Sequence, residues 1–290
     1  MLPILNQPIS HNAMTERKTQ SDPMKLVSRH FFDLTDYAHP SLFPPGEFVW
    51  QALKNLKSYL AGWEYPPLAP ELTGIPAPLR HTYIFHRNEM FVAEECVIEF
   101  GDVTKGKLLV WRQGQLLEGA SVIMAGATIS GTKLSLGKGV LIETGAFIKE
   151  PVIIGDHTEV RQGAYLRGFC LVGNRCVVGH VTEVKHAIFL DDAKAGHFAY
   201  LGDSILGNHV NLGAGTKLAN LRFTRGDVVI KTENGAVSTG LGKLGAIMGD
   251  HTQTGCNAVT NPGTLLGKKS IVLPNKTTPS GYHNNGSIIR

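Results

Sequence analysis

The sequence predicts a mainly β protein built as a parallel β-helix, and three observations lead to this prediction. Aliphatic side chains recur at every sixth position, glycine is abundant at 33 of 290 residues, and the same period returns after an interruption. A six-residue period requires a strand, a turn and a second strand at an angle, which is the signature of this fold. Three such hexads, roughly 18 residues, make one triangular coil.

The repeat is clearest in the middle of the chain, where ten successive sixth positions are aliphatic: Leu136, Ile142, Ile148, Ile154, Val160, Leu166, Val172, Val178, Val184 and Leu190. With 42% of residues hydrophobic, ten hits in a row have a chance of roughly 2 in 10,000 for a given start. The period resumes at Leu206, Leu212 and Leu218, and again at Met248, Thr254, Thr260, Leu266 and Val272. Between these two runs, residues 222–246 fit no hexad and predict an extruded loop or hairpin.

The remaining segments differ in composition from the repeat. Residues 1–24 are polar and are expected to form a flexible N-terminus. Apolar side chains at helical spacing after Pro44 and Pro45 predict a helix near 46–61. We expect residues 25–90 to form a small N-terminal α/β cap on one end of the β-helix, residues 91–275 to form the β-helix itself, and residues 276–290 to form a C-terminal tail.

Charge and cysteine content exclude several classes of protein. The formal net charge is +4, which is too small an excess to indicate nucleic-acid binding but suits a site that receives phosphate. No secretory signal and no apolar run long enough to cross a membrane is recognisable. The four cysteines form no CxxC pair, so we interpret them as reduced thiols in a soluble, cytoplasmic protein.

The repeat loses its phase between Leu190 and Leu206, which are 16 residues apart where 18 would keep the register. The break contains His197, Tyr200 and Asp203. A deletion in a stacked coil costs contacts, so we expect an offsetting role, and a tolerated bulge remains the alternative.

The segment "KAGHFAYLGDSILGNHVNLGAGTKLAN" resembles the acetyltransferase domain of the bifunctional glucosamine-1-phosphate acetyltransferase/N-acetylglucosamine-1-phosphate uridylyltransferase family. The segments "ANLRF" and "KLGAIMGDHTQTGCNAVTNPG" are similar to its archaeal sugar-phosphate nucleotidyltransferase branch. The resemblance covers about residues 136–275. It implies a left-handed β-helix and acetyl transfer from acetyl-CoA to an amino-sugar 1-phosphate. We expect the family's nucleotidyltransferase domain, and its uridylyltransferase activity, to be missing here.

The resemblance also implies roles for individual residues. His197 corresponds to the general base and Asn220 to a second catalytic residue. Those that correspond to substrate-binding residues are Arg161, Lys185, Tyr200, Asn211 and Lys243. Those that correspond to coenzyme A contacts are Ala214, Leu221, Cys256 and Pro274. Leu221 stands where the family has tyrosine, and a longer loop leaves Lys243 as the counterpart of its phosphate-binding lysine, so the acceptor is less well defined than the reaction. Cys256 stands where the family has serine, which a backbone contact tolerates.

Other interpretations remain open at this point. An acyltransferase acting on a nucleotide-linked amino sugar would use the same chemistry. A non-catalytic trimeric scaffold for a separate nucleotidyltransferase is an alternative of another class, favoured if His197 points away from any cleft. His180 and His186, six residues apart, raise the possibility of zinc, but zinc sites of this fold need three imidazoles, and we expect no metal. The family resemblance predicts a homotrimer with small-molecule partners, and nothing points to nucleic acid or membrane.

Overall fold

The computed structural model describes residues 23–68, 72, 76–87, 89–232 and 235–290. Most of the predicted flexible N-terminus, residues 1–22, lies outside the described residues. The two α-helices are α1, Ser28–Phe31, and α2, Gln51–Ala61, so α2 begins five residues later than predicted. Short 3-10 turns cover Pro23–Leu26, Pro40–Leu42, Ala93–Glu95 and Val103–Lys105.

Five strands precede the β-helix: β1 Tyr83–His86, β2 Glu89–Val92, β3 Cys96–Phe100, β4 Leu108–Arg112 and β5 Gln115–Leu116. The strands of the β-helix form three parallel sheets. The first sheet contains β6 Ser121–Ile123, β9 Leu141–Ile142, β12 Glu159–Val160, β15 Val177–His180, β18 Lys194–His197, β21 Asn211–Leu212, β26 Gln253–Thr254, β29 Ile271–Val272 and β32 Ile288–Ile289.

The second sheet contains β7 Thr128–Ser130, β10 Phe147–Lys149, β13 Tyr165–Leu166, β16 Glu183–Lys185, β19 Tyr200–Gly202, β22 Lys217–Leu218, β27 Val259–Thr260 and β30 Thr277–Thr278. The third sheet contains β8 Leu134–Leu136, β11 Val152–Ile154, β14 Cys170–Val172, β17 Ala187–Phe189, β20 Ile205–Leu206, β25 Ala246–Met248, β28 Thr264–Leu266 and β31 Gly281–His283. We call the turns between the first and second sheets the first corner, those between the second and third sheets the second corner, and those returning to the first sheet the third corner.

The structure confirms the predicted mainly β fold, a left-handed parallel β-helix. One hydrophobic cluster fills its interior, and nine of the ten anchor positions, from Leu136 to Val184, belong to it. Later anchors such as Leu206, Leu212 and Leu218 belong to the same cluster. The six-residue period therefore reports which side chains point inward.

The break in register lies only partly where the sequence indicated, between Leu190 and Leu206. Phe189, rather than Leu190, points into the interior, while Leu190 packs on the outside of the third sheet. The inward positions step by five residues from Val184 to Phe189 and again from Leu201 to Leu206. Both shortened steps fall at the second corner, so they flank His197 along the chain but do not occur at the first corner, where His197 lies.

The helical segment packs along the side of the β-helix. Phe31, Leu53 and Leu56 are buried in one cluster with outward-facing residues of the third sheet, among them Ile188 and Ile205. The backbone N–H of Asp33 donates to an Asp250 carboxylate oxygen at 2.7 Å, which ties this segment to the third corner. We expected residues 25–90 to cover one end, but this part of the segment covers a side because its apolar face matches an apolar sheet.

The N-terminal end of the β-helix is closed by the segment that follows. β1 pairs antiparallel with β6 and with β2, so the β1–β2 hairpin extends the first sheet. Leu72, Leu79 and Phe85 belong to the interior cluster and close its end. β3, β4 and β5 form a separate antiparallel sheet, so residues 96–116 are not part of the β-helix, contrary to the boundary at 91.

The second half contains one insertion and continues further than expected. After β22 the chain leaves the second corner and forms an antiparallel hairpin of β23, Val229–Thr232, and β24, Gly235–Ser238, within the predicted interruption. β30, β31 and β32 pair with the preceding coil, so residues 276–290 belong to the β-helix rather than to a tail. Thr278 is buried at the next sixth position, as Thr260 is one coil earlier, but the following inward position is His283, five residues on, so the six-residue period ends there.

Over the residues that the structure describes, no helix is long and apolar enough to cross a membrane.

Candidate functional site

Four residues predicted to act together lie at the first corner, next to His180. Backbone hydrogen bonds join one coil to the next along this corner, from Phe198 N–H to the His180 carbonyl at 2.8 Å, from Gly215 N–H to the His197 carbonyl at 3.0 Å and onward through Ala214 and Cys256. His180, His197, Ala214, Cys256 and Pro274 therefore form one column, which we call the first-corner column. The proposed base and three of the four proposed coenzyme A contacts lie in it.

A cavity of about 610 Å³ lies beside this column. Its lining includes His197, Arg161, Asn211, Ala214 and Cys256. These are one proposed catalytic, two proposed substrate-binding and two proposed cofactor-binding residues, and they come from four different coils. The structure thus brings together side chains that are up to 95 positions apart, from Arg161 to Cys256.

Two glycines in successive coils lie close together next to this cavity. A Cβ atom added to Gly179 would lie 1.8 Å from the carbonyl oxygen of Gly196, so no other residue fits there. Gly196 itself lines the cavity, and a Cβ atom there would meet nothing within 4 Å. Gly196 therefore leaves space in the cavity next to His197 that a larger side chain would fill.

His197 lies at the end of β18 and is exposed. Its ring stacks on that of His180 with centroids 5.6 Å apart and an interplanar angle of 25°, and it lies 6.2 Å from the Phe198 ring. The imidazole is thus held by neighbours on one side and reaches the cavity on the other. An imidazole in this position can accept a proton from a bound acceptor.

Arg161 is positioned by a carboxylate from its own strand. Its Nη2 and Nε atoms lie 2.9 Å and 3.0 Å from Oε2 of Glu159. Both side chains are mostly buried, with 28% and 15% of their surfaces exposed. The ion pair restrains the guanidinium, whose remaining N–H groups can bind an anion such as phosphate.

A second group of predicted residues lies at the second corner. His186, Asp203 and Asn220 occupy equivalent positions in successive coils. Nδ1 of His186 donates to Oδ1 of Asp203 at 2.8 Å, and Nδ2 of Asn220 donates to Oδ2 at 2.5 Å. The Lys185 ammonium is 3.8 Å from the same Oδ2 atom, and the Tyr200 hydroxyl donates to Oδ1 of Asn220 at 3.3 Å.

Asp203 is the centre of this second-corner cluster. Burial alone would raise the pKa of its carboxyl group, but the hydrogen bonds from His186 and Asn220, with the charges of His186 and Lys185, outweigh burial and hold the pKa below its usual value. The pKa of the Tyr200 hydroxyl is raised by burial and by the nearby negative charges of Glu183 and Asp203. The cluster therefore contains a carboxylate and a neutral phenol at neutral pH.

Leu221 and Lys243 mark where the insertion begins and ends. They form an isolated antiparallel bridge, and the Leu244 N–H donates to the Asn220 carbonyl at 3.2 Å. Lys243 is exposed, as is Leu221 with 62% of its surface accessible. Lys243 thus lies beside the second-corner cluster, where a cation could meet a bound anion.

Within one chain the two groups remain separate. The cavity beside His197 is lined by none of Lys185, Tyr200, Asn220, Leu221 or Lys243 among the described residues. The proposed catalytic Asn220 is buried, and its amide is already engaged by Asp203 and Tyr200. Pro274 lies in the first-corner column beyond Cys256 and is exposed.

Sequence reasoning missed several residues of these two groups. Glu159 and Lys194 line the cavity, and so does the β3–β4 loop at Gly101–Thr104. Glu159 could have been found, because it precedes Arg161 by two positions and thus shares its side of a strand. The loop could not, since its approach to the β-helix depends on how a separate sheet packs.

The two histidines considered for zinc lie at different corners. His180 stacks on His197 at the first corner, whereas His186 binds Asp203 at the second. The described part of the chain contains no group of three or more His, Cys, Asp or Glu residues placed to hold a metal ion.

Fold and cavity together define a left-handed β-helix of hexapeptide repeats with a polar cleft at one corner. Residues 148–288 match the family model described as the GMPPB C-terminal domain. A bifunctional sugar-1-phosphate nucleotidylyltransferase/acetyltransferase of Sulfurisphaera tokodaii is 34% identical over 151 residues, 46% of this chain and 38% of that protein. The bifunctional protein GlmU of Methanococcus maripaludis is 35% identical over 112 residues, 39% of this chain and 27% of its own length.

These similarities confirm the family resemblance that the motifs indicated. GlmU of Thermosynechococcus vestitus shares 32% identity over 136 residues, 47% of this chain and 26% of that protein. The chain spans less than two-fifths of each of these relatives. A solved UDP-N-acetylglucosamine acyltransferase from Francisella novicida aligns over 54% of this chain and 58% of its own, with a TM-score of 0.24 and 15% identity, which is too weak to bear on function.

Proposed function

We propose that this protein transfers an acetyl group from acetyl-CoA to the amine of an amino-sugar 1-phosphate such as glucosamine-1-phosphate. The observation that carries the proposal is the cavity that the exposed His197 lines together with Arg161, Ala214 and Cys256. A relative with 34% identity is described as an acetyltransferase, which agrees with this chemistry. The acceptor and the acyl donor are the most specific parts of the proposal.

In the proposed reaction the acceptor amine attacks the thioester carbonyl directly. The C–N bond forms, the C–S bond breaks, the imidazole of His197 takes the proton from nitrogen, and coenzyme A leaves as the thiol after protonation. No acyl-enzyme is formed. Cys256 is exposed and lines the cavity, but it stands where the family has serine, and the proposal gives it only a contact with coenzyme A.

The two ends of the cavity suggest where each substrate binds. Arg161 lies two coils before His197 and would hold the sugar phosphate, while Asn211 lies in the coil after His197 and would contact the sugar. Ala214, Cys256 and Pro274 follow along the first-corner column and would contact coenzyme A through their backbone. His197 lies between Arg161 and these proposed coenzyme A contacts, where the amine and the thioester must meet.

The second-corner residues would complete the site from a neighbouring subunit. Lys185, Tyr200, Asn220, Leu221 and Lys243 cannot serve the same cavity of their own chain, since they do not line it. A homotrimer would pack the second corner of one subunit near the first corner of the next. In this arrangement Lys185 and Lys243 would supply further positive charge, and Asn220 a polar contact to the reacting groups.

The scaffold interpretation receives no support from the position of His197. A scaffold would require neither an exposed imidazole nor a cavity beside it, and both are present. A nucleotide-linked amino sugar remains the alternative acceptor of the same reaction, and the first experiment includes it.

The test is thiol release from acetyl-CoA against a panel of amino-sugar phosphates and nucleotide-linked amino sugars. We expect turnover with an amino-sugar 1-phosphate, and a loss of about 100- to 10,000-fold in His197→Ala because a positioned general base is removed. The melting temperature should barely change, because His197 is exposed. His209→Ala, which removes an exposed histidine at the third corner, serves as the matched control, and a near-normal rate in His197→Ala would refute the assignment of the base.

A further inference from the structure

One wall of the cavity beside His197 comes from outside the β-helix. The loop between β3 and β4 contributes Gly101, Asp102, Val103 and Thr104 to the lining. These residues precede position 148, where the match to the family model begins. The wall is therefore a feature of this chain to which neither the motifs nor the comparisons assign a role.

The loop is held in a fixed conformation. Val103 is 2% exposed and packs with Leu108, Val122 and Leu141 in a small hydrophobic cluster. The N–H groups of Lys105 and Lys107 both donate to the Asp102 carbonyl, each at 3.1 Å. A wall with a buried anchor and closed backbone hydrogen bonds can bind a ligand selectively, because little conformational entropy is lost on binding.

The packing places the loop at the proposed acceptor end of the cavity. Val122 and Leu141, on which Val103 rests, belong to the first two coils of the β-helix. Arg161 directly follows the first strand of the third coil, whereas Cys256 lies in the seventh. The loop thus approaches from the side of Arg161, away from the proposed coenzyme A contacts.

The exposed groups of the loop are suited to hydroxyl groups. The Thr104 hydroxyl donates to Oδ1 of Asp102 at 2.8 Å, and the Lys105 ammonium is 2.8 Å from Oδ2. These hydrogen bonds, from Lys105 and then Thr104, lower the pKa of Asp102 to about 2, with the charges of Lys105 and Lys194 adding to the effect. The carboxylate keeps free lone pairs, since each oxygen can accept more than one hydrogen bond.

We propose that Asp102 and Thr104 bind hydroxyl groups of the acyl acceptor and so determine which sugar is accepted. The inference rests on the proposed acetyl transfer and adds to it the residues that select the acceptor. Carboxylate and hydroxyl side chains in a rigid wall discriminate strongly against a ligand lacking the matching hydroxyl, because their polar groups then lose a partner.

The test measures the KM for glucosamine-1-phosphate and the KM for acetyl-CoA in the variants Asp102→Asn and Thr104→Val. We expect the KM for the sugar phosphate to rise about tenfold, the value of one lost hydrogen bond of about 1.4 kcal/mol, and the KM for acetyl-CoA to stay within twofold. For the wild type, an acceptor that lacks one hydroxyl group should be a poorer substrate than the complete acceptor. For the variant that has lost the contact with that hydroxyl group, the two acceptors should be equally good substrates. Gln115→Ala, at the other turn of the same small sheet, is the matched control.

The outcomes separate this inference from the proposed function. Wild type that turns over the sugar phosphate, with both variants unchanged in its KM, overturns the role of the loop and leaves acetyl transfer intact. A rise in the KM for acetyl-CoA alone also overturns it. Wild type without turnover on any acceptor overturns the proposed function itself. If Asp102→Asn lowers the melting temperature, the KM values of Thr104→Val still test the role of the loop, because this variant leaves the Asp102–Lys105 ion pair in place.

Discussion

Arg161 and Lys185 are positively charged residues at the ends of strands that belong to two different sheets, and each is adjacent to a carboxylate. Arg161 is held by Glu159 at 2.9 Å, while Lys185 is only loosely associated with Asp203 at 3.8 Å. The guanidinium is therefore the better oriented of the two, and the ammonium the more mobile. The difference sets what each substitution should do.

Replacing either cation with alanine should raise the KM for a phosphorylated acceptor more than it lowers kcat. A cation that holds a non-reacting phosphate contributes equally to the ground and transition states. We expect about a 10- to 100-fold rise in KM for Arg161→Ala, the effect of losing a charge-assisted hydrogen bond, and a smaller rise for Lys185→Ala. Steady-state kinetics measure both KM and kcat for each variant. The control is Lys133→Ala, which removes an exposed lysine next to the third sheet. An unchanged KM would remove the phosphate assignment.

Asp203 should matter for stability as well as for the proposed site. Both carboxylate oxygens of Asp203 accept a hydrogen bond, one from His186 and one from Asn220. Asp203→Asn replaces one of these oxygens with an amide N–H₂ group, so one buried donor loses its acceptor. We expect this to lower the free energy of unfolding by about 1–3 kcal/mol. Because the folded pKa of Asp203 lies below its unfolded value, its contribution is fully present above about pH 4 and is lost as the pH falls through the folded pKa.

Urea unfolding of both proteins between pH 3 and pH 7 tests this expectation. The difference between wild type and Asp203→Asn should be constant near neutral pH and narrow below about pH 4. Asp36→Asn, at an exposed position, should show no such difference. If wild type and Asp203→Asn had the same free energy of unfolding at pH 7, or if their difference grew in acid, Asp203 would not stabilise the second-corner cluster as a carboxylate.

At the scale of elements, the helical segment on the third sheet contains a buried histidine. His39 is 6% exposed, and its Nδ1 atom lies 2.8 Å from the Tyr59 hydroxyl on α2. Its ring makes edge contacts with Tyr59 and Trp63. Burial lowers the pKa of His39, partly offset by the charge of Asp191.

The helical segment should therefore loosen in acid. The unfolded segment takes up a proton at His39 more readily than the folded one, so stability is unaffected well above pH 6.5 and falls as the pH drops from there toward the folded pKa. Trp50 and Trp63 report on this segment by fluorescence. Thermal melting followed in this way should depend less on pH in His39→Phe than in wild type, while His81→Gln, exposed, should behave like wild type. Equal pH dependence in all three proteins would contradict the prediction.

The elements also show how far the sequence can be interpreted. Inward positions are predictable because a triangular coil needs an aliphatic side chain at each sixth residue, and nine anchors followed this rule. Leu190 did not, because Phe189 and Leu190 are both apolar and both buried, one inside and one under the helical segment. That segment lies more than 100 positions earlier in the chain, so no local pattern distinguishes the two.

The candidate site was predictable to a similar degree. The motif around His197 indicated the first-corner residues, and the structure brings His197, Arg161 and Asn211 to one cavity. The role of Asp203 was not predictable in detail, because its stacking between His186 and Asn220 depends on coils of 17 residues instead of roughly 18. The β3–β4 loop escaped prediction because its sheet packs on the β-helix through side chains that any half-buried strand could carry.

At the scale of the whole molecule, we predict a homotrimer. The first corner exposes Val181 and Phe198, with 57% and 59% of their surfaces accessible, on the side where His180 and His197 stack. Burying large apolar side chains against a second copy is favourable, and a flat-sided prism packs well around a threefold axis. Small-angle scattering should give about three times the chain mass of 31.4 kDa.

A pair of substitutions tests this interface. Phe198→Asp should shift the protein toward monomers, since it places a charge in the predicted contact, and should reduce activity. Phe100→Asp is the matched control, because Phe100 is similarly exposed, at 56%, on the separate small sheet. A wild-type monomer with full activity would refute the trimer and the shared site together.

The second corner varies in length more than the other two, and this has an evolutionary consequence. Three coils are shortened there by one residue each, the last of them between Thr278 and His283, and one coil carries the insertion with β23 and β24. Because each coil touches only its neighbours, the coils on either side keep their pairing, as the regular ladders from β25 onward show. Insertions and deletions can therefore accumulate at this one edge during divergence, and related genes can change what they bind without altering the repeat that keeps them folded.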